Sequence, residues 1–259
     1  MSTAGGLTGL QGLSGRVAFV SGAGQGIGRA TALRLAREGA QVCVNDIDPE
    51  TAGAVAEEVG GLSAPCDVSD LGAVREQIAR CERERGPIDL LVANHAFMVM
   101  APFVEHGEAD FARTLEVNLL GTAWLLSLCA PAMAARGYGR IVAIASEWGQ
   151  IGWPNATAYA ATKGGIIALV KSVARTYARQ GVAVNAVAPG VTDTPQLDVD
   201  AADAGLTHEE MVQVYGRDQP LGRIGRPQDI AATVAFLLST PAIAFVGHVL
   251  APNGGATRI

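Results

Sequence analysis

Arg16-Val17-Ala18-Phe19-Val20-Ser21-Gly22-Ala23-Gly24-Gln25-Gly26-Ile27-Gly28 is a short apolar strand running into a glycine-rich turn, and helix formers follow it as far as Glu38. A strand, a tight turn and a helix N-terminus in this order make an anion site. Unpaired backbone N–H groups and the positive end of the helix dipole face one point, and glycines let the backbone approach it. Ser21, Gly22, Gln25, Gly26, Ile27 and Gly28 are therefore expected around the pyrophosphate of a dinucleotide. A second strand, Gln41 to Asn45, ends in Asp46, 18 residues past Gly28. That is where an acid accepts hydrogen bonds from the adenosine ribose hydroxyls. An acid there repels a 2′-phosphate, and Ile47 and Asp48 follow it instead of an arginine. The pattern points to NAD over NADP. The competing reading makes Asp46 and Asp48 turn residues ahead of Pro49.

Outward from this unit, strands and helices alternate along the chain. Strands are expected near 16–20, 41–46, 62–66, 88–93, 139–145, 182–188 and 246–250. Helices are expected near 26–38, 50–59, 70–85, 108–135, 155–179 and 227–239. Alternation of this kind gives an α/β fold: a single-domain, doubly wound Rossmann architecture, with a seven-stranded parallel sheet covered by helices on both faces. The apolar runs Ile88–Val92 and Ile141–Ala145 fit strands buried on both sides. Residues 14–259 then form one dinucleotide-binding and catalytic domain, and residues 1–13, rich in Gly, Ser and Thr, a flexible tail without the blocks of a signal peptide. Pro195 to Arg223 breaks the alternation. It is acidic, bounded by prolines and glycines, and holds a helical piece around His208 to Tyr215; its place suggests a lid over substrate, with Gln196, Met211 and Tyr215 facing inward.

Tyr159 and Lys163 stand four residues apart within an expected helix, so phenol and ammonium share a face. A tyrosine with an ordinary pKa of about 10 is a poor base at neutral pH, and a nearby fixed positive charge favours its phenolate. So tuned, it exchanges a proton with an alcohol or a carbonyl. Ser146, thirteen residues upstream of the tyrosine, would hold the reacting oxygen.

Taken together these motifs resemble the short-chain dehydrogenase/reductase family, in its compact single-domain branch, from about Leu13 to Ala256. Ser21 stands where the family's glycine turn has threonine. The resemblance implies that Asp67 and Val68 contact the adenine ring and that Asn94 sits beside the cofactor. It implies that Asn118 supports the lysine through a water, completing a catalytic set with Ser146, Tyr159 and Lys163. It implies that Pro189, Gly190, Thr192 and Thr194 cradle the nicotinamide amide, beside which Tyr159 and Lys163 also bind the cofactor. His95 and Ala96 depart from the family's N-N-A-G, and Asn253 departs from its D-G-G. The expected activity is NAD-dependent interconversion of a secondary alcohol and its ketone. A 3-oxoacyl thioester reductase is the alternative, and a non-catalytic NAD-sensing or interaction protein a remote one.

Around the catalytic residues His95, Glu147, Trp148, Gln150, Trp153 and Gln196 are the candidate substrate wall. It mixes stacking and hydrogen-bonding groups, so a polyol, a sugar-like ring and a hydroxylated aromatic all remain open, and the two tryptophans also fit a space-filling role. No G-x-S-x-G elbow surrounds Ser146, and His95, His106, His208 and His248 lack ligand spacing, so neither a hydrolase nor a metal site is expected. A net charge of −6 without a basic cluster argues against nucleic acid. No uninterrupted apolar run reaches membrane-spanning length, Val117 to Ala135 coming nearest as a buried helix. The four cysteines lack paired spacing and suit a reduced, cytoplasmic protein. The resemblance further implies a homotetramer, to which the helices at 108–135 and 155–179 would present Ala123, Leu126, Ile167, Val170 and Ala174.

Overall fold

The computed structural model describes residues 9–217 and 219–257. Its first half runs β1 (Val17–Val20), α1 (Gly26–Arg37), β2 (Gln41–Val44), α2 (Pro49–Glu58), β3 (Leu62–Ser63), α3 (Leu71–Arg85) and β4 (Ile88–Ala93). Then come α4 (Glu108–Thr114), α5 (Gly121–Ala135), β5 (Gly139–Ile144), α6 (Trp148–Ile151), α7 (Thr157–Tyr177) and β6 (Val182–Val187). The chain closes with α8 (Gln196–Ala204), α9 (His208–Gly216), α10 (Pro227–Leu238) and β7 (Val249–Leu250). The seven strands form one sheet in the order β3-β2-β1-β4-β5-β6-β7, and every pairing is parallel.

Each central strand is apolar on both sides because each face carries its own core. Phe19, Leu91, Ile141 and Val184 point into a core with α3, α5 and α7, while Ala18, Val20, Leu90, Val92 and Val142 pack beneath α1, α2 and α10. A fully buried side chain of this size contributes about 1.5–3 kcal/mol, so the two-sided burial fixes which residue of each strand faces which layer. The run Glu108–Ala135 is long and apolar enough to cross a membrane, and half of its most apolar stretch lies buried within the fold. Between α4 and α5 it widens into a π-helical turn at Leu115–Leu120, where a single helix over 108–135 was expected.

Four expectations need correction. Residues 10–13 are docked: Leu13 is fully buried, Leu10 N–H donates to Glu38 Oε2 at 2.6 Å, and Gln11 accepts from Thr240 N–H at 2.9 Å. Residues 1–8 of the expected tail lie outside the described residues. Leu126, Val170 and Ala174 are buried in the core and present nothing to a partner, while Ala123 and Ile167 are half-buried. The 195–223 segment holds two helices where one was expected. Pro195 precedes α8 and Gly205, at φ 68°, ends it, and Leu197, Ala201, Met211 and Ile224 give the pair a small core of their own. Strands β3 and β7 are also shorter than expected, two residues each.

Candidate active site

Strand order reverses between β1 and β4, one neighbour leading to β2 and the other to β5. The carboxyl ends on either side of that reversal diverge into a crevice, the usual ligand site of an open α/β sheet. Here it is a cleft of about 440 Å³. At one end lie Gly22, Gln25, Gly26 and Ile27, in the turn entering α1. The N-cap residue Gln25 makes no side-chain cap, and the first turn of α1 contains no acid, so its N–H groups face the cleft uncompensated. Only glycine fits at Gly28, where a Cβ would stand 1.9 Å from the Gly22 carbonyl oxygen. Gly22 itself holds φ at 59°, and a Cβ there would meet the His95 backbone at 2.7 Å. Asn94 Nδ2 donates to the Gly22 carbonyl at 2.8 Å and ties the turn to the end of β4. This cradle fits a pyrophosphate.

Asp46 lines the same end, its Oδ2 accepting from Gly24 N–H at 2.9 Å and its Oδ1 from Asp48 N–H at 3.2 Å. Asp48 is the turn residue of the two: it caps α2 by accepting from Glu50 N–H at 2.9 Å. Asp67 and Val68 line the cleft next to Cys66. Asp67 is held by Arg113 of α4, with Nη2 to Oδ2 at 2.6 Å, and by Ser69 at 2.7 Å. Arg113 was not foreseen; nothing in its sequence neighbourhood ties it to Asp67, 46 residues away. Ser21 and Gly28 belong to the turn without lining the cleft, while Pro189, Gly190, Thr192 and Thr194 line it, Thr194 lying against the turn where a Cβ on Gly26 would stand 3.3 Å from its Cγ2.

Ser146, Tyr159 and Lys163 meet in the same cleft, brought there by the end of β5 and the first turns of α7. Lys163 is buried and its Nζ donates to the Ile144 carbonyl at 2.7 Å. Burial pulls its ammonium down to about 7. The expectation of a lowered Tyr159 is not met by the protein groups alone. Desolvation pushes its phenol up to about 12, Ser146 counters part of that rise by hydrogen bonding, and the charge of Asp200 adds to it. Lys163 Nζ lies 5.4 Å from the centre of the Tyr159 ring, and burial is the largest cause of the phenol's upward shift. Asn118 does not line the cleft. From the π-helical turn its Oδ1 accepts from Phe97 N–H at 2.7 Å, while Nδ2 donates to the Phe97 carbonyl at 2.9 Å and to Thr162 Oγ1 at 3.2 Å. Its side chain clamps the loop after β4 to α7, beside Lys163.

The candidate substrate wall divides. Glu147, Trp148 and Gln196 line the cleft; Gln150 and Trp153 do not. Trp148 stands edge-on to Tyr159 at 6.1 Å, and Trp153 stacks behind it at 5.1 Å, so the inner tryptophan is wall and the outer one support. His95 borders the cleft, but its ring nitrogens are engaged elsewhere: Nδ1 with Ser21 Oγ at 2.7 Å and Nε2 with Thr122 Oγ1 at 3.5 Å. Gly121 makes room for the ring, since a Cβ there would be 3.0 Å from Nε2. Burial takes His95 down to about 3, so it is a neutral packing group. Glu147 is buried, accepts from Asn253 Nδ2 at 3.3 Å and Thr257 Oγ1 at 3.4 Å, and has its pKa raised by burial. Asp200 and Tyr215, from α8 and α9, complete this end. Asp200 was missed, although its i,i+4 spacing from Gln196 was a readable signal; the two hydrogen-bond at 3.1 Å.

A family model described as enoyl-(acyl carrier protein) reductase matches residues 22–257. The chain is 39% identical over 250 residues to cis-4-hydroxycyclohexanecarboxylate dehydrogenase of Sinomonas cyclohexanicum, covering 94% of this chain and 97% of that one. It is 36% identical over 250 residues to sorbitol dehydrogenase of Cereibacter sphaeroides, covering 94% and 98%. The crystal structure of levodione reductase superposes with a TM-score of 0.87 at 33% identity, over 93% of this chain and 97% of that one.

Proposed function

The chain belongs to the short-chain dehydrogenase/reductase family, and from that membership we propose that it is an NAD-dependent enzyme interconverting a secondary alcohol and its ketone. The observation that carries the reading is the meeting of Ser146, Tyr159 and Lys163 in one cleft with the Gly22–Ile27 cradle and Asp46. The names of the two dehydrogenase relatives support an alcohol substrate.

Gly22, Gln25, Gly26 and Ile27 would hold the pyrophosphate, Asp46 the adenosine ribose, and the Pro189–Thr194 wall the nicotinamide amide. NAD⁺ held there would supply the hydride acceptor through which the alcohol becomes the ketone. Ser146 orients the alcohol oxygen, and Tyr159, as the phenolate, takes the hydroxyl proton; in the reverse direction the Tyr159 phenol gives its proton to the carbonyl oxygen. Lys163 offsets the phenolate, which accepts the proton in oxidation and is left behind in reduction. Trp148 and the lid helices keep water from the reacting carbon. Asn118 holds the Phe97 loop and α7 in register.

NAD is favoured over NADP because Asp46 would stand against a 2′-phosphate, with no cation next to it in sequence. Reduction of a 3-oxoacyl thioester is the second reading, supported by the description of the matching family model. A panel of secondary alcohols with NAD⁺ and NADP⁺, followed by a 3-oxoacyl thioester with NADH and NADPH, decides between them by cofactor absorbance. Oxidation of at least one alcohol with NAD⁺ supports the first reading; thioester reduction alone supports the second. A homotetramer remains part of the proposal, with the exposed Ala161 and Ala168 of α7 in its interface. Light scattering at micromolar concentration tests it, and a mass near 26.6 kDa overturns it.

A further inference from the structure

The substrate end of the cleft is acidic. Among the described residues the lining carries four carboxylates, Asp46, Asp67, Glu147 and Asp200, against two cations, Arg113 and Lys163. Arg113 is bound to Asp67, which leaves Lys163, its Nζ donating to the Ile144 carbonyl, as the one cation of this lining beside Glu147 and Asp200. Two carboxylates are thus left with the reacting centre. Glu147 is taken up by Asn253 and Thr257.

Asp200 is not taken up in this way. It is half-buried, its Oδ1 accepts from Gln196, and no other described side chain donates to it. Burial raises its pKa, and its charge reaches both Tyr159 and Tyr215. A half-buried carboxylate lacking a cation gains most from a donor brought in by something else. Trp148, Leu197 and Tyr215 line the same cleft and offer an incoming molecule an apolar surface, with Lys163 the cation beside the reacting centre and no described cation hydrogen-bonded to Asp200.

We propose that Asp200 selects the substrate, receiving a hydroxyl or ammonium group carried away from the reacting carbinol and turning away molecules that carry a carboxylate or phosphate in its place. This inference rests on the secondary-alcohol reading above and names its substrate class: polyhydroxylated or amino alcohols. A substrate donor satisfies the spare capacity of Asp200, whereas an anion meets uncompensated like charge in a partly desolvated site. The nearby hydrophobic wall would take the carbon frame in either case, so discrimination depends on the polar group alone.

The test uses one carbon frame with four substituents: cyclohexanol, 4-(hydroxymethyl)cyclohexanol, 4-(aminomethyl)cyclohexanol and 4-hydroxycyclohexanecarboxylate. Each is oxidised by the wild-type enzyme and by Asp200→Asn, with kcat/KM expressed as ratios within each protein so that any general loss of activity cancels. In the wild type the hydroxymethyl or aminomethyl compound should exceed the carboxylate by about 10- to 100-fold. The two donor compounds separate a hydroxyl-reading site from an ammonium-reading one. Asp200→Asn should shrink the ratio of donor to carboxylate by about tenfold or more, and should reduce the aminomethyl compound more than the hydroxymethyl one. A wild type that prefers the carboxylate, or an Asp200→Asn ratio equal to the wild-type ratio, overturns the inference while oxidation of cyclohexanol leaves the alcohol reading standing. Failure of both proteins to oxidise any of the four with NAD⁺ or NADP⁺ rejects the inference, and the thioester assay then decides the reading beneath it.

Discussion

The two ends of the cleft are made differently. The nucleotide end is backbone: a turn whose glycines leave no room for a side chain, the open first turn of α1, and an acid fixed to Gly24 N–H. The substrate end is side chain: Trp148 against Tyr159, Glu147 held from the C-terminal segment, and Asp200 and Tyr215 projecting from α8 and α9. A backbone site depends on a few consecutive residues and fits one kind of ligand. A side-chain site collects residues from distant segments and can be altered one at a time. The same crevice therefore combines a fixed cofactor seat with an adjustable substrate seat.

The proposed catalytic residues Ser146, Tyr159 and Lys163 line the same cleft, and they give the largest expected effect. Tyr159→Phe should lower turnover by about 100- to 10,000-fold while leaving NADH affinity within about threefold, because only the proton carrier is removed. NADH binding is read by fluorescence titration. A variant with more than a tenth of wild-type turnover would detach chemistry from these residues.

At the backbone end, Asp46→Ala should reduce the preference for NAD over NADP by about 10- to 100-fold, measured as a ratio of kcat/KM values. An unchanged ratio would mean that another group reads the ribose. The lost contact to Gly24 N–H is expected to weaken binding of both cofactors alike.

His95 joins the glycine turn to α5, and its protonation tests how firmly the backbone end is packed. Its folded pKa, about 3, is depressed below the ordinary histidine value by burial. The unfolded chain therefore binds the extra proton first, so the stability this site contributes is complete above pH ~6.5 and is lost as pH falls toward 3. At pH 5 the loss should be about 2 kcal/mol by urea unfolding, and His95→Gln should flatten that portion of the profile. A wild type equally stable at pH 5 and pH 7 would show that the ring is not held in its buried contacts.

The smallest effect belongs to the α8–α9 pair. His208 accepts the opposite shift: its hydrogen bond with Asp198, at 2.8 Å, and the charge of Asp193, at 3.2 Å, raise its pKa. The contact is complete below pH ~6.5 and fades as pH rises through that raised value. Hydrogen exchange at the start of α9 should accelerate with rising pH beyond the intrinsic rate, and His208→Gln should remove the excess. The site is exposed, so added salt should diminish the effect. An excess that survives in the variant would place the pH dependence elsewhere.

The same contrast governs what the sequence discloses. The β1–α1 turn, Asp46 and the Tyr159–Lys163 spacing are local patterns, and the seven parallel strands follow from alternation of apolar runs with helices. Boundaries slipped where tertiary contacts override local pattern: residues 10–13 look like a loose tail until Leu13 enters the core, and the π-helical turn at Leu115–Leu120 leaves no compositional mark. The Tyr159 pKa departs from expectation because desolvation competes with pairing, and His95 borders the cleft as expected but with both ring nitrogens engaged by Ser21 and Thr122. Arg113 and Asp67 come from segments that nothing but the fold brings together. Asp200 was legible through its spacing from Gln196 but lay in a segment expected to be irregular at that point. Helix faces were the weakest reading, since Leu126 and Val170 belong to the core and not to an interface.

Deuterium transfer tests the central claim most directly. A secondary alcohol accepted by the enzyme, labelled with deuterium at the carbinol carbon, is incubated with NAD⁺, and the reduced cofactor is isolated and weighed by mass spectrometry. The account predicts one deuterium on each NADH formed, on a single face of the ring, with the label absent from solvent. Ketone formed without deuterium on the cofactor, or label released to water, would contradict it.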